Sequence, residues 1–207
     1  MKVLLINGSP KVKGCTYTAL SEVASALEQN GIETEIFHPG IEPIRGCMGC
    51  GGCKNLNGKC TYQDAVNIFL EKARTADGFI FGTPVHYAAA SGMLTSFLDR
   101  AFYAGKFIFE YKPGAAIVSC RRSGATAAFD QLNKYFTISN MPVVSSSYWN
   151  MIHGTNPEEA KQDLEGMQIM RNLGNNMAWI LKSIEAGKKV GVNIPGRENK
   201  IITSFIR

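Results

Sequence analysis

Val3-Leu4-Leu5-Ile6-Asn7-Gly8-Ser9-Pro10-Lys11-Val12-Lys13-Gly14-Cys15-Thr16 stands near the start of the chain. Four apolar residues in a row, without polar alternation, read as a short strand buried on both faces. A turn rich in Gly, Ser and Pro follows. Leu20, Val23, Ala24 and Leu27 then recur at the i, i+3, i+4, i+7 spacing of one helix face, closed by Asn30-Gly31. This is one β-α unit, and working outward from it the pattern repeats. Residues 34–37 read as a strand; Val66, Phe69, Leu70 and Ala73 as a helix; 78–81 as a strand; Leu94, Phe97, Leu98 and Ala101 as a helix; and 115–118 as a strand. A less regular helix over 125–136 precedes a short fifth β-rich run at Val143-Val144. Strands apolar on both faces need helices on both sides, and right-handed crossovers leave few other arrangements, so the pattern predicts an α/β, doubly wound, five-stranded parallel sheet.

The 207 residues suit a single domain, with a core over about 1–150 and a C-terminal helix and tail over about 157–207. In that extension Leu173, Met177, Ile180, Leu181 and Ile184 form a helical stripe ended by Gly187, and an extended tail follows. The stripe either closes the domain or makes a subunit contact. With 45% hydrophobic and 19% charged residues, the balance is that of a globular protein with a sizeable core. The net charge of +5 favours anionic ligands, but the basic residues are scattered and their longest clusters are the pairs Arg121-Arg122 and Lys188-Lys189. No nucleic-acid partner is expected. The apolar run at the N-terminus is too short for a signal peptide, and no run approaches the ~18 residues of a membrane span. The expectation is a cytoplasmic protein without a membrane partner, its six cysteines reduced thiols or metal ligands.

In doubly wound sheets the ligand lies beyond the carboxyl ends of the strands. The loop from Gly8 to Thr16 suits an isolated phosphate: glycines for tight backbone, hydroxyls from Ser9 and Thr16, charge from Lys11 or Lys13, and the N–H groups of a helix start. It lacks both the G-x-G-x-x-G of dinucleotide sites and the G-x-x-x-x-G-K-[ST] of triphosphate sites, and no Arg follows Cys15 as a phosphatase loop needs. The other reading is a turn that only caps a helix. In the third loop, 82–92, Pro84 stiffens the chain, His86 and Tyr87 offer planar faces, and small residues leave space for a flat ring. A strand order of 2-1-3-4-5 would set this loop beside the first, and the pair suits a flavin.

Three stretches together resemble the NADPH-dependent FMN reductase family of flavodoxin-like proteins, over most of residues 1–150. They are Gly8-Ser9-Pro10-Lys11 with Gly14-Cys15-Thr16, Gly82-Thr83-Pro84-Val85-His86-Tyr87, and the run from Ser91-Gly92 to Asp99-Arg100. The resemblance implies a flavodoxin-like sheet of order 2-1-3-4-5 and FMN as cofactor. It implies that Ser9, Lys11, Cys15, Thr16 and Thr18 surround the FMN phosphate, and that Thr83, Pro84, Val85, His86, Tyr87 and Ser91 border the ribityl chain and ring. Ser119, Arg121 and Gly124, in the loop after the fourth strand, are placed against the pyrimidine end. Arg121 and Arg122 have two further readings, the extra phosphate of NADPH or a solvated pair at a helix start; Cys120 reads as a small packed side chain. Lys11 stands where the family usually has Arg, which removes a two-pronged phosphate grip, and Cys15 where it has Asn.

Cys47, Cys50, Cys53 and Cys60 read C-x2-C-x2-C-x6-C, ligand spacing for a four-iron four-sulfur cluster; structural zinc more often takes two separated C-x2-C pairs. The stretch is similar to the compact cysteine motif of iron-sulfur flavoproteins, a branch of the same family, with unoccupied or redox-active thiols as the alternative. The function these features imply is an FMN-dependent oxidoreductase. NAD(P)H would reduce bound FMN by hydride transfer, and electrons would pass to a small-molecule or protein acceptor, with the cluster as a relay. His86 is the one candidate catalytic side chain, as a hydrogen-bond or proton donor, and a packed loop histidine is its other reading. The rival function is a non-enzymatic electron-transfer flavoprotein, and a third is a thiol or metal sensor without flavin. By resemblance the chain forms a homodimer or homotetramer.

Overall fold

The computed structural model describes residues 1–199 and 201–205. In chain order the elements are β1 (Lys2–Asn7), α1 (Cys15–Gln29), β2 (Glu33–Phe37), α2 (Ala65–Arg74), β3 (Gly78–His86), β4 (Ala89–Ala90), α3 (Gly92–Phe109), β5 (Gly114–Cys120), α4 (Ala125–Thr137), β6 (Met151–His153), α5 (Pro157–Gln162) and α6 (Leu164–Lys189), with a single 3-10 turn over Gly52–Asn55. The main sheet runs β2-β1-β3-β5-β6, all parallel, and β4 turns back antiparallel on β3. Leaving out that two-residue arm, the order is the expected 2-1-3-4-5.

Period-two alternation sends each strand's side chains to two cores. Leu4, Ile6, Phe79, Phe81, Ala116 and Val118 face α2, α3 and α4 across a phenylalanine-rich layer. Within it, rings such as Phe79 and Phe109 meet edge to face at 4.9 Å. Val3, Leu5, Ile80, Ala115 and Ile117 face α1, α5 and α6. At about 1.5–3 kcal/mol for each large apolar side chain buried, these two layers are the main source of stability. No helix among the described residues is long and apolar enough to cross a membrane.

Three expectations are corrected, and one that was left open is resolved. The fifth strand does not lie at Val143-Val144. Val143 makes only an isolated bridge with Gly114, and the chain leaves the sheet before returning as β6 beside Val118, Ser119 and Cys120. Buried Asn150 pins this detour, donating to the Ala116 carbonyl at 3.0 Å and accepting from the Val118 N–H at 2.9 Å. Second, Gly82 to His86 is strand and not loop, because β3 continues along β5 as far as Pro84 opposite Ser119 and then pairs with β4. Third, of the two roles left open for the α6 stripe, its inner residues take the one within the domain: Leu173, Met177 and Leu181 are buried against the sheet face that α1 also covers. Fourth, the helix runs past Gly187 to Lys189. The tail beyond it has no regular structure among its described residues; Lys200, Ile206 and Arg207 of that expected tail lie outside them.

Candidate functional site

At the carboxyl ends of β1, β3, β5 and β6 the connecting segments enclose a cleft of about 390 Å³. That volume lies in the ~300–1,000 Å³ range of small-molecule sites. One wall is the first loop, which the sequence wraps around a single buried residue. Asn7 ends β1, donates to the Val12 carbonyl at 3.0 Å and accepts from the Ser9 N–H at 3.2 Å; the Ser9 hydroxyl then accepts from the Lys11 N–H at 3.1 Å. His38 braces the loop from outside. Its Nδ1 accepts from the Gly40 N–H at 3.1 Å, so the neutral ring carries its proton on Nε2, which donates to the Ser9 carbonyl at 2.9 Å. Gly8 donates to the Gly82 carbonyl at 2.8 Å. A Cβ on Gly8 would stand 2.7 Å from that oxygen and 2.8 Å from Leu94, so only glycine lets the loop lie on β3.

The loop leads into α1, whose N-cap is Gly14 without a side-chain cap. First-turn N–H groups therefore face the cleft rim beside exposed Lys11 and Lys13, an arrangement suited to an anion. Thr16 Oγ1 and Ser119 Oγ lie 2.8 Å apart and tie this wall to the end of β5.

Nine of the residues expected at the cofactor line the cleft: Ser9, Lys11, Cys15, Thr16, Pro84, Val85, His86, Ser119 and Arg121. Five stand elsewhere. The Thr18 hydroxyl donates to the Gly14 carbonyl inside α1 at 3.2 Å. Thr83 accepts from the Ser91 N–H and donates to the Pro84 carbonyl, each at 2.9 Å, so both residues brace β3 from behind the wall. Tyr87 and Ala88 form the tip of the β3–β4 hairpin at φ 48° and 59°, with the Tyr87 side chain fully exposed. Gly124, at φ 86°, backs that tip. His86 is exposed at the cleft edge.

Burial pushes the Cys15 and Cys120 thiols up, so both stay protonated; Cys15 Sγ donates to the Gly154 carbonyl at 3.5 Å. The residues sequence reasoning missed are Asn7, His38 and the 154–157 segment, which completes the cleft. For the last the signal was present: Asn156-Pro157 is a helix start, and Asn156 caps α5 by accepting from the Glu159 N–H at 2.8 Å.

A second, smaller cavity, of about 20 Å³, is bordered by all four motif cysteines together with Tyr62, Arg100 and Tyr103. The space admits little more than one water. Cys47 and Cys50 are exposed, Cys53 is half-buried and Cys60 is buried; all are free thiols. The Gly52 N–H and then the Thr61 hydroxyl pull the Cys50 thiol below the usual range. Gly49 and Gly51, at φ 62° and 69°, give the loop its curl. Among the described residues no three His, Cys, Asp or Glu side chains converge closely enough to hold a metal ion as they stand. The donor set still suits a cluster in its chemistry, with four thiols around one space and a buried cation beside them.

A sequence model of the family described as NADPH-dependent FMN reductase matches residues 1–156. An iron-sulfur flavoprotein of Methanocaldococcus jannaschii is 34% identical over 194 residues, covering 89% of this chain and 100% of the relative. Among solved structures, RosB with bound 8-demethyl-8-formylriboflavin-5'-phosphate aligns with a TM-score of 0.68 at 15% identity, over 100% of this chain and 94% of that one. A flavodoxin from the domain Archaea aligns with a TM-score of 0.61 at 16% identity, over 88% and 99%. These two structural likenesses bear on the fold alone.

Proposed function

The chain belongs to the NADPH-dependent FMN reductase family, on its iron-sulfur flavoprotein-like branch, and from that premise we propose that it is an FMN-dependent oxidoreductase reduced by NAD(P)H. One observation carries the reading: an uncapped helix N-terminus, a loop curled by Asn7 and a wide cleft meet at the sheet edge where doubly wound proteins bind their ligands. FMN supplies hydride acceptance and electron release, and a four-iron four-sulfur cluster supplies single-electron relay.

The chain's own residues orient and tune. Ser9, Thr16 and the first-turn N–H groups of α1 hold the phosphate, with Lys11 adding charge. Pro84, Val85 and His86, which line the cleft, would border the ring edge, and Arg121, also in its lining, would stabilise negative charge on a reduced ring. His86, exposed and unburdened by packing, is placed to donate a hydrogen bond there. Cys47, Cys50, Cys53 and Cys60, which border one space, would hold the cluster. On the outer face of α6, Leu164 and Trp179 are 77% and 70% exposed, which supports a homodimer or homotetramer.

Anaerobic mixing of FMN-loaded protein with NADPH tests this. Bleaching near ~450 nm, typical of flavins, is expected within the mixing series. Failure to bleach with both NADPH and NADH, alongside full reduction by dithionite, overturns the reductase reading in favour of an electron carrier between protein partners.

A further inference from the structure

We propose that Arg100 is the positioning residue of the cysteine cavity, holding the Cys60 sulfur in place and raising the reduction potential of the cluster bound there. The proposal rests on the cluster reading above. Arg100 lies on α3 between apolar neighbours, and its side chain is only 1% exposed, a costly place for a guanidinium unless its N–H groups are met. They are met almost entirely by the segment that carries the cysteines. Nη1 and Nη2 grip the Asp64 carboxylate at 2.5 and 2.9 Å, Nη1 also reaches the Arg45 carbonyl at 3.3 Å and Nη2 the Tyr62 carbonyl at 3.5 Å. The remaining donor, Nε, points at Cys60 Sγ at 3.3 Å.

A purely structural ion pair would be complete with the Asp64 fork. Nε instead addresses the sulfur of the buried motif cysteine, whose backbone the fold holds on both sides. The Cys60 N–H donates to Asn67 Oδ1 at 2.7 Å, and Asn67 Nδ2 donates back to the Cys60 carbonyl at 2.9 Å. Cys47 and Cys50, by contrast, sit on exposed loop. Cys60 is thus the anchored corner around which the other thiols arrange. An N–H donor to a ligand sulfur favours the more negative, one-electron-reduced form of the cluster, while the charge of the guanidinium is matched by the Asp64 carboxylate it grips. Removing that donor shifts the equilibrium toward the oxidised form.

The test uses the full chain purified without oxygen, with iron and sulfide assays and an EPR-monitored redox titration. The variants are Arg100→Lys, which keeps charge but loses the fork, and Asp64→Asn combined with Arg100→Gln, which removes the pair without stranding a carboxylate. The cluster midpoint should become more negative in both variants, each of which loses the Nε donor to sulfur, while the flavin midpoint stays unchanged. Loaded variants that titrate at the wild-type potential, or above it, overturn the proposal alone. A variant that loses iron but keeps FMN and its near-UV circular dichroism supports the holding of Cys60; one that loses iron, FMN and fold together overturns it. Wild-type protein without iron and sulfide overturns the cluster reading, and this proposal with it.

Discussion

The cleft at the strand ends and the cysteine cavity are built on opposite plans. The cleft is preformed: strand ends set its walls, Asn7 and Gly8 hold the first loop down, and the Thr16–Ser119 hydrogen bond ties two walls together. The cysteine segment has one 3-10 turn as its only regular element, two exposed thiols and a single anchored corner at Cys60. A site that binds through backbone N–H groups and dipoles gains from rigidity before the ligand arrives, whereas metal ligands are commonly drawn together by the metal itself. Damage should therefore spread differently in the two regions.

The largest separation is expected from Gly8→Val. A branched side chain has no space between the Gly82 carbonyl and Leu94, so FMN affinity should fall by more than a hundredfold in a fluorescence titration, with stability lowered by about 1–3 kcal/mol. Retained flavin binding would show that the first loop is as adaptable as the cysteine segment. Next is Cys50→Ser. Iron and sulfide per chain should drop to near zero under anaerobic purification while FMN stoichiometry is kept; joint loss would break the independence of the two regions.

A smaller effect is expected from Thr16→Val, which deletes the 2.8 Å link between cleft walls. Urea unfolding should lose about 1 kcal/mol, and an unchanged midpoint would mean the tie contributes nothing. Smallest is a contrast in thiol reactivity in iron-free protein. Hydrogen bonds lower the Cys50 pKa, whereas burial raises those of Cys15 and Cys120. The thiolate is the reacting form, so iodoacetamide below the ordinary thiol pKa of ~8.5 should label Cys50 well before the other two, as read by peptide mass spectrometry.

Period was the legible part of this fold. The strands at 3–6, 34–37, 78–81 and 115–118 and the helices between them were readable because each buries a face long enough to leave a pattern. β6 was not, because three residues carry no periodicity and its place is set by Asn150, a tertiary hydrogen bond with no local signature. The loops that form the cleft were visible as turn chemistry, but which of their residues face inward was not. Thr83 looks like a ligand group in sequence but its hydroxyl is spent on the Ser91 N–H and the Pro84 carbonyl, whereas Asn7 and His38 look incidental and shape the loop. The four cysteines announced a shared centre, but the unequal burial that makes Cys60 its anchor depends on Arg100 and Asn67 arriving from two different helices.

The sheet face formed by Val3, Leu5, Ile80, Ala115 and Ile117 shares its cover between α1 and α6. Because α6 follows every strand in the chain, a ribosome adding about 5–20 residues per second leaves part of that apolar face bare for seconds after the last strand has been made. Through that interval the nascent chain carries an apolar face open to aggregation until α6 covers it.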